Sequence, residues 1–333
     1  MKLLQYALLQ WFLFFLIGFG LGYPTLNRYD PRIVGGTSDS RSYYEIITRG
    51  PREVAEHHRY RLLIPSIAKP ISEWAGGRLK SWDPVFFGLL VINASFCATT
   101  ASLLVNAGNR VTGSSPVGLL AALLYLLNFT VSNGHLSGLV DSGEGCLMMG
   151  LVWALLSNRW WPLPLLGFLG ALAKETFVPL SAAFAVVWWL VSNDRLPRGF
   201  SRMGWILAMA VTGFVTVAFV QSMVSGSLVW PWRLIIPGKG EGSLWARFLA
   251  CLVSRPFGYI FVWLLPLGIW RLGRLPRPWV SASIAATLVA LGLGVYHGSG
   301  GNVARGMFNV SGPLLSLSAA HLLSSLSSGC LKG

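Results

Sequence analysis

The sequence predicts an all-α polytopic membrane protein, and three observations carry that prediction. Hydrophobic residues make up 53% of the 333 positions and charged residues only 11%, against about 25% in ordinary soluble domains. Apolar runs of roughly 20 residues recur from end to end, each long enough to cross ~30 Å of hydrocarbon. Arginines gather in alternate short connections, as they do where cytoplasmic loops retain positive charge. This composition excludes a soluble globule, a disordered chain and a disulfide scaffold. It predicts a single integral membrane domain over 1–333, with no separate soluble domain.

About ten transmembrane helices are expected. The first runs from about Leu3 to Gly22. Lys2 precedes it as in a signal peptide, but the stretch exceeds a usual signal core and Leu21-Gly22-Tyr23-Pro24 is a poor cleavage site. The helix is therefore expected to be retained. Further spans fall near 84–105, 117–132, 140–157, 163–173, 177–192, 204–224, 248–270, 280–297 and 306–326. The segment 163–173 is short, since 11 residues at 1.5 Å rise reach only about 17 Å. Lys174 and Glu175 then interrupt the pattern. This segment and its successor read as a broken pair lining a cavity, where irregular backbone is satisfied by protein or water.

Placing the N-terminus in the cytoplasm puts Arg110, Arg159, Arg195, Arg198, Arg202, Arg271, Arg274 and Arg277 inside, with Lys2 and Lys332 at the ends. The long first loop, 23–83, is then outside although it carries ten Lys+Arg and seven Asp+Glu; long loops translocate largely regardless of charge. Both termini are expected in the cytoplasm, and a bacterial inner membrane is the expected setting. The whole chain holds 26 Lys+Arg against 12 Asp+Glu, net +14. Inside loops and anionic headgroups account for that excess. No basic segment carries a nucleic-acid motif, so membrane lipids rather than nucleic acid are the expected partners. Cys97, Cys146 and Cys251 sit in apolar runs, Cys330 lies near the C-terminus, and no Cys-x-x-Cys pair exists. They read as small hydrophobes.

With so few carboxylates, each can be placed. Asp30, Asp39, Glu45, Glu53, Glu56, Glu73 and Asp83 are in the first loop, Asp194 in an inner loop and Glu241 in an outer one. Asp141, Glu144 and Glu175 lie at or within apolar segments, all toward the outer side. An acid at membrane depth is costly and marks a functional site by default. Asp141 and Glu144 are three apart and share a helix face, with His135 just before them. The plainer alternative is an ion-paired cluster at an interfacial helix start.

The first loop holds two segments that mix aromatic, basic and apolar residues at helical spacing, 40–50 and 57–71. Such segments suit helices lying in the interface plane. The run Gly35-Gly36-Thr37-Ser38-Asp39-Ser40 places one acid, Asp39, just above the bilayer; its ordinary role would be an N-cap. The Gly-rich turn at 297–305 ends in Arg305 and opens the last span. Free N–H groups plus a guanidinium make a phosphate cradle, unless Arg305 merely snorkels. Arg255-Pro256 reads similarly, as a kink that exposes a guanidinium or as a snorkelling side chain. Three Asn-x-Ser/Thr matches, at Asn93, Asn128 and Asn309, fall in expected spans and read as chance.

Several segments carry a resemblance. An N-terminal span followed by a long outer loop with Thr37-Ser38-Asp39-Ser40-Arg41-Ser42-Tyr43-Tyr44 resembles the GT-C superfamily of polytopic membrane glycosyltransferases. So does the basic segment Arg59-Tyr60-Arg61-Leu62-Leu63-Ile64-Pro65. Ala173-Lys174-Glu175-Thr176 resembles a Lys-Glu-(Thr/Ser) segment of these and related bacterial membrane proteins, and Asn302 to Asn309 resembles a late segment of some relatives. The resemblance covers most of the chain in topology and about 40 residues in motif.

What it implies is transfer of a sugar from a polyprenyl-phosphate carrier to a lipid, glycan or protein acceptor on the outer face, usually with inversion. By motif position Asp39 would be the base. Arg59, Arg61, Lys174, Arg255 and Arg305 would be the candidates for the carrier phosphate, and Tyr43, Tyr44, His135, Asp141, Glu144 and Glu175 would support them. With Thr at 37 and Arg at 41 there is no Asp-x-Asp pair, so no metal ligand and no cofactor is assigned, and a divalent metal stays open.

The residues alone are compatible with that chemistry. Inverting transfer needs a carboxylate near the acceptor hydroxyl, cations for the departing phosphate and an apolar groove. A transporter or lipid flippase is the alternative, raised by the intramembrane charges and the broken pair. It would place its site near mid-membrane between repeated halves, and no repeat is evident. A non-catalytic assembly factor is the third reading.

Overall fold

In the computed structural model, which describes residues 2–27, 38–54, 57–192, 199–230, 242–297 and 302–330, no strand occurs among the described residues and the regular elements are helical. In chain order they are α1 Lys2–Asn27, α2 Ser38–Arg49, α3 Leu63–Ala75, α4 Pro84–Thr112, α5 Ser115–Leu126, α6 Asp141–Leu156 and α7 Leu163–Ala173. There follow α8 Phe177–Val191, α9 Gly199–Ser225, α10 Leu244–Leu252, α11 Arg255–Phe261, α12 Leu264–Ile269, α13 Arg277–His297 and α14 Asn302–Cys330. Asp30, residues 35–37, Glu56, Asp194, Arg195, Arg198, Glu241, the glycines of 298–301 and Lys332 lie outside the described residues, as does the side chain of Cys330.

The expected span 248–270 is broken into α10, α11 and α12, and α5 ends at Leu126, short of the expected 132; the other expected spans each fall on one helix, and these differ in kind. Among the described residues, four are long and apolar enough to cross a membrane: Gln5–Pro24 within α1, α4, Ser201–Ser225 within α9, and α13. Arg255–Phe261 and Leu264–Arg274, bent by 46°, make a fifth if counted as one span. The remaining expected spans are shorter or more polar. α5, α7 and α8 have 12, 11 and 15 residues. α6 has 16 residues and opens with two acids. α14 has 29 residues, but its serines dilute its apolarity.

Local chemistry sets the boundaries. Asp83 accepts from the N–H groups of Val85 and Phe86 at 2.9 and 3.0 Å, and Pro84 follows as the first helical residue of α4. Gly113 ends α4 at φ 69°, a left-handed cap that a residue with Cβ rarely takes. The first-loop segments form α2 and, after a 3-10 turn at His57–Tyr60, α3. Each is amphipathic: α2 buries Tyr43, Ile46 and Ile47, while α3 buries Ile64 and Ala68 and leaves Trp74 exposed.

α4 is the hub of one half, packing on α1, α3, α5 and α6, while α14 packs on α5, α6, α12 and α13. α7 lies on α9, and α8 on α13. The buried side chains include Leu89, Leu104, Tyr125, Phe177, Phe184, Trp279 and Phe308. The far side of α1 exposes Leu8, Leu9, Phe12, Leu13 and Leu16; in a lipid solvent such a face carries no penalty, whereas in water a patch of that size would be an association surface.

Candidate functional site

Five separate pieces of chain bring charge to one place: the first turn of α2, the 57–61 turn, the start of α6, the 174–176 connection and the start of α14. The arrangement follows from helix geometry. Asp141 and Glu144 are one turn apart on α6, and Arg305 and Asn309 one turn apart on α14. Arg305 Nη1 donates to Asp141 Oδ2 at 3.1 Å, and Asn309 Nδ2 donates to Glu144 Oε2 at 2.7 Å. The two helices thus start level with each other.

Lys174 caps the C-terminal end of α7 in an extended conformation. Its Nζ donates to Asp141 Oδ1 at 2.7 Å and to Glu144 Oε2 at 3.1 Å. Thr176 Oγ1 donates to Glu144 Oε1. Glu144 is fully buried, with Lys174, Thr176 and Asn309 all donating to it. Because its carboxylate only accepts, the Asn309 amide must turn its NH2 toward it. Asn309 Oδ1 then accepts from His135 Nε2 at 2.8 Å, which fixes the tautomer, and His135 Nδ1 accepts from the Tyr125 hydroxyl at 3.4 Å.

The loop side is organised by Arg61. Its guanidinium grips Glu175 through both Nε, at 3.0 Å, and Nη2, the fork geometry that favours arginine over lysine. Nη1 donates to Tyr43 Oη at 3.2 Å and faces His58 Nδ1 at 3.3 Å. Nδ1 must accept there, so His58 Nε2 carries the proton and points at Asp39 Oδ1, 3.5 Å away. Asp39 Oδ2 in turn faces Arg305 Nη2 at 3.4 Å. Burial alone would lower the pKa of Arg61, but Glu175 reverses this and holds it well above its ordinary value. Burial would raise that of Glu175, and Arg61 instead draws it down to about 2. Burial lifts the Tyr43 phenol above its usual value despite Arg61.

The result is one connected cluster. Four carboxylates, Asp39, Asp141, Glu144 and Glu175, face three cations, Arg61, Lys174 and Arg305. Counted over these described residues it carries one excess negative charge with His58 neutral. A cavity of about 140 Å³ opens onto it, lined by the polar residues Asp39, Tyr43, His58, Arg61, Asp141, Lys174, Thr176 and Arg305 and by the apolar residues Leu139, Leu180, Ala290, Leu293 and Val303. A second cavity, about 330 Å³, is apolar and lies among α11, α12, α13 and α14. The two share walls in sequence order. On α13, Ser283, Ile284, Thr287 and Leu288 line the apolar cavity, while Ala290, Leu293, Gly294 and His297 line the polar one. On α14, Val303, Arg305 and Gly306 precede Met307, Ser311, Leu314 and Leu315 in the same way. The cavities are therefore stacked along one helix pair.

Of the residues singled out from sequence, Asp39, Tyr43, Arg61, His135, Asp141, Glu144, Lys174, Glu175 and Arg305 join this cluster. Asp39 is the second residue of α2, and its carboxylate faces Arg305 and His58. Three others lie elsewhere. Tyr44 donates to Asp83 Oδ2 at 3.1 Å, bracing the cap of α4. Arg59 stacks over the Tyr60 ring at 4.8 Å and bonds its hydroxyl. Arg255 is exposed at the start of α11. Sequence reasoning missed His58, Thr176, Asn309 and Tyr125. Asn309 had a usable signal, its place four residues after Arg305; His58 and Tyr125 are uncharged partners with none. Among the described residues, no group of three or more His, Cys, Asp and Glu side chains is placed to hold a metal ion.

No family model matches the chain, and no curated protein matches it.

Proposed function

We propose that the protein is a membrane glycosyltransferase of GT-C type, moving a sugar from a polyprenyl-phosphate carrier to an acceptor on the outer face with inversion. The observation that carries this reading is the stacking of a charged cavity on an apolar one along α13 and α14. An amphipathic donor has that form: a phosphate with its sugar, then a long hydrocarbon tail. In the reaction, the acceptor hydroxyl gives its proton to the Asp39 carboxylate. The freed oxygen attacks the anomeric carbon, and the bond from that carbon to the phosphate oxygen breaks. Polyprenyl phosphate leaves with its added negative charge facing Arg305 and, beyond it, Arg61 and Lys174.

In this reading the helices make about ten spans in a bacterial inner membrane, with both termini cytoplasmic and α2 and α3 on the outer surface. The cluster then lies at the outer end, since Asp141 is the first residue of α6 and Arg305 is in the first turn of α14. A transporter would place its charges near mid-membrane. The test is transfer by the purified protein from a panel of polyprenyl-phosphate sugars. Release of polyprenyl phosphate with one sugar moved to an acceptor is the expected result. Failure with every donor and acceptor, by protein shown to be folded, would overturn the reading.

A further inference from the structure

The far ends of α13 and α14 hold arginines in a different setting from the charged cluster. α13 has 21 residues, about 30 Å of helix, which is the thickness of a bilayer's hydrocarbon. His297, at one end, lines the polar cavity, and Arg277 is at the other. Arg271 precedes, and Arg274 ends, a single 3-10 turn at Leu272–Arg274. Leu275 and Trp279 are buried and anchor this connection, while Arg274 and Arg277 are exposed. α14 returns to the same level: Arg271 Nη2 donates to Ser325 Oγ at 3.1 Å, and Ser325 lies about 30 Å along α14 from Arg305.

Three observations distinguish this triad from the positive charge common in the loops of membrane proteins. Residues 242–333 contain no Asp or Glu, and among the described residues no carboxylate pairs with Arg271, Arg274 or Arg277. Next, Arg271 Nε is buried with no hydrogen-bond partner among the described residues, and so is His321 Nδ1, one turn before Ser325. Ser325 has no proton left to offer, because its hydroxyl donates to Leu322 O at 2.7 Å. A buried donor left unpaired costs free energy, so Nε calls for an acceptor. Finally, two other arginines expected on this face are settled on protein. Arg110 bonds the Leu156 carbonyl and the Ser157 hydroxyl, and Arg159 stacks over the Trp153 ring.

We propose that Arg271, Arg274 and Arg277 form a headgroup site for an anionic phospholipid of the leaflet opposite the charged cluster. The phosphodiester accepts from Arg271 Nε, a charge-assisted bond, and Arg274 and Arg277 supply the surrounding positive charge. The acyl chains run along Ile269, Trp270 and Leu326, which are exposed beside Arg271 and Ser325. A soluble anion has no use for that apolar flank. The lipid ties the end of α12 to α13 and α14, whose side chains line the apolar cavity, so its binding holds the walls of that cavity together. The site stands whether or not the chain transfers a sugar.

The test counts lipid adducts on the purified full chain in neutral detergent by native mass spectrometry. Phosphatidylglycerol and phosphatidylcholine of matched acyl chains are the probes, with inorganic phosphate as competitor. Phosphatidylglycerol is expected to bind roughly tenfold more tightly than phosphatidylcholine. Arg271→Gln is expected to weaken phosphatidylglycerol binding by roughly tenfold or more, and Arg274→Gln and Arg277→Gln by about fivefold each. Arg159→Gln removes one charge from the same face and is expected to change binding by no more than about twofold. Thermal melts show which variants fold. If Arg271→Gln does not, Arg271→Lys decides: it keeps the charge but loses the Nε donor, and a loss of roughly two- to tenfold is expected. Equal losses for Arg159→Gln and Arg271→Gln would reduce the triad to general surface charge and overturn the site. Equal binding of the two lipids, or displacement of the lipid by inorganic phosphate at the same concentration, would overturn it as well.

Discussion

The two cavities stacked along α13 and α14 are built on opposite principles. In the polar one every carboxylate and cation named above has a partner from a different element: α2 to α14, α14 to α6, α6 to the 174–176 connection, and that connection to the 57–61 turn. Ions removed from water are stabilised only when such partners are fixed in place. The apolar cavity is the larger of the two, about 330 Å³, yet among the described residues no charged side chain lines it, and its few hydroxyls do little. Ser283 Oγ and Thr287 Oγ1 are buried with no hydrogen-bond partner among the described protein atoms. One region holds its elements in register through directional bonds. The other offers shape and hydrocarbon contact. Precision and capacity are thus separated along a single helix pair.

Three substitutions test that contrast, in descending order of effect. Lys174→Met strikes the polar side hardest, because it leaves Asp141 and Glu144 facing each other without the cation between them. We expect a loss of about 3–5 kcal/mol, read from thermal unfolding in detergent. A loss under about 1 kcal/mol would mean that water already screens the cluster.

Glu175→Gln probes the clamp between the first loop and the 174–176 connection, and its effect depends on pH. The folded carboxyl titrates at about 2 and the unfolded one near 4.5. Its stabilisation is therefore complete above about pH 4.5 and is lost as pH falls toward 2. The expected cost of Glu175→Gln near neutral pH is about 1–2 kcal/mol, allowing for partial exposure of the carboxylate. The gap between wild type and variant should close on acidification. A gap that is flat with pH would show that Arg61 does not depress this carboxyl.

Ser283→Ala carries the smallest effect. It removes a buried hydroxyl without a partner, so stability should be unchanged or rise by up to about 1 kcal/mol. A clear loss would reveal a polar occupant of the apolar cavity.

Much of the helical order was legible in the sequence, and so was much of the site. Acids in apolar surroundings stand out because each costs free energy unless compensated, which is why Asp141, Glu144 and Glu175 could be found. Lys174 stood out beside them for the same reason. The length of apolar runs located the helices, but run length alone could not grade them. α5 and α7 carry strongly apolar residues over 12 and 11 positions, too few for a straight crossing of ~30 Å. Partners without charge left no trace: His58 and Tyr125 are ordinary residues until the fold sets them beside Asp39 and His135. Arg59 and Arg255 show the converse. A basic residue in a suggestive segment can settle on its own neighbour, as Arg59 does on Tyr60, or remain at the surface.

The central claim is that Asp39 works as a base in the polar cavity rather than as a helix-stabilising acid at the start of α2, and turnover with stability on the same preparations tests it most directly. Asp39→Asn keeps the size and the capacity to bond a backbone N–H, so its melting temperature should stay near wild type. It cannot accept a proton at neutral pH, so sugar transfer should fall by roughly 10²–10⁴-fold. Asp39→Asn with full turnover, accompanied by a destabilised Asp39→Ala, would assign Asp39 to the fold alone and contradict the account.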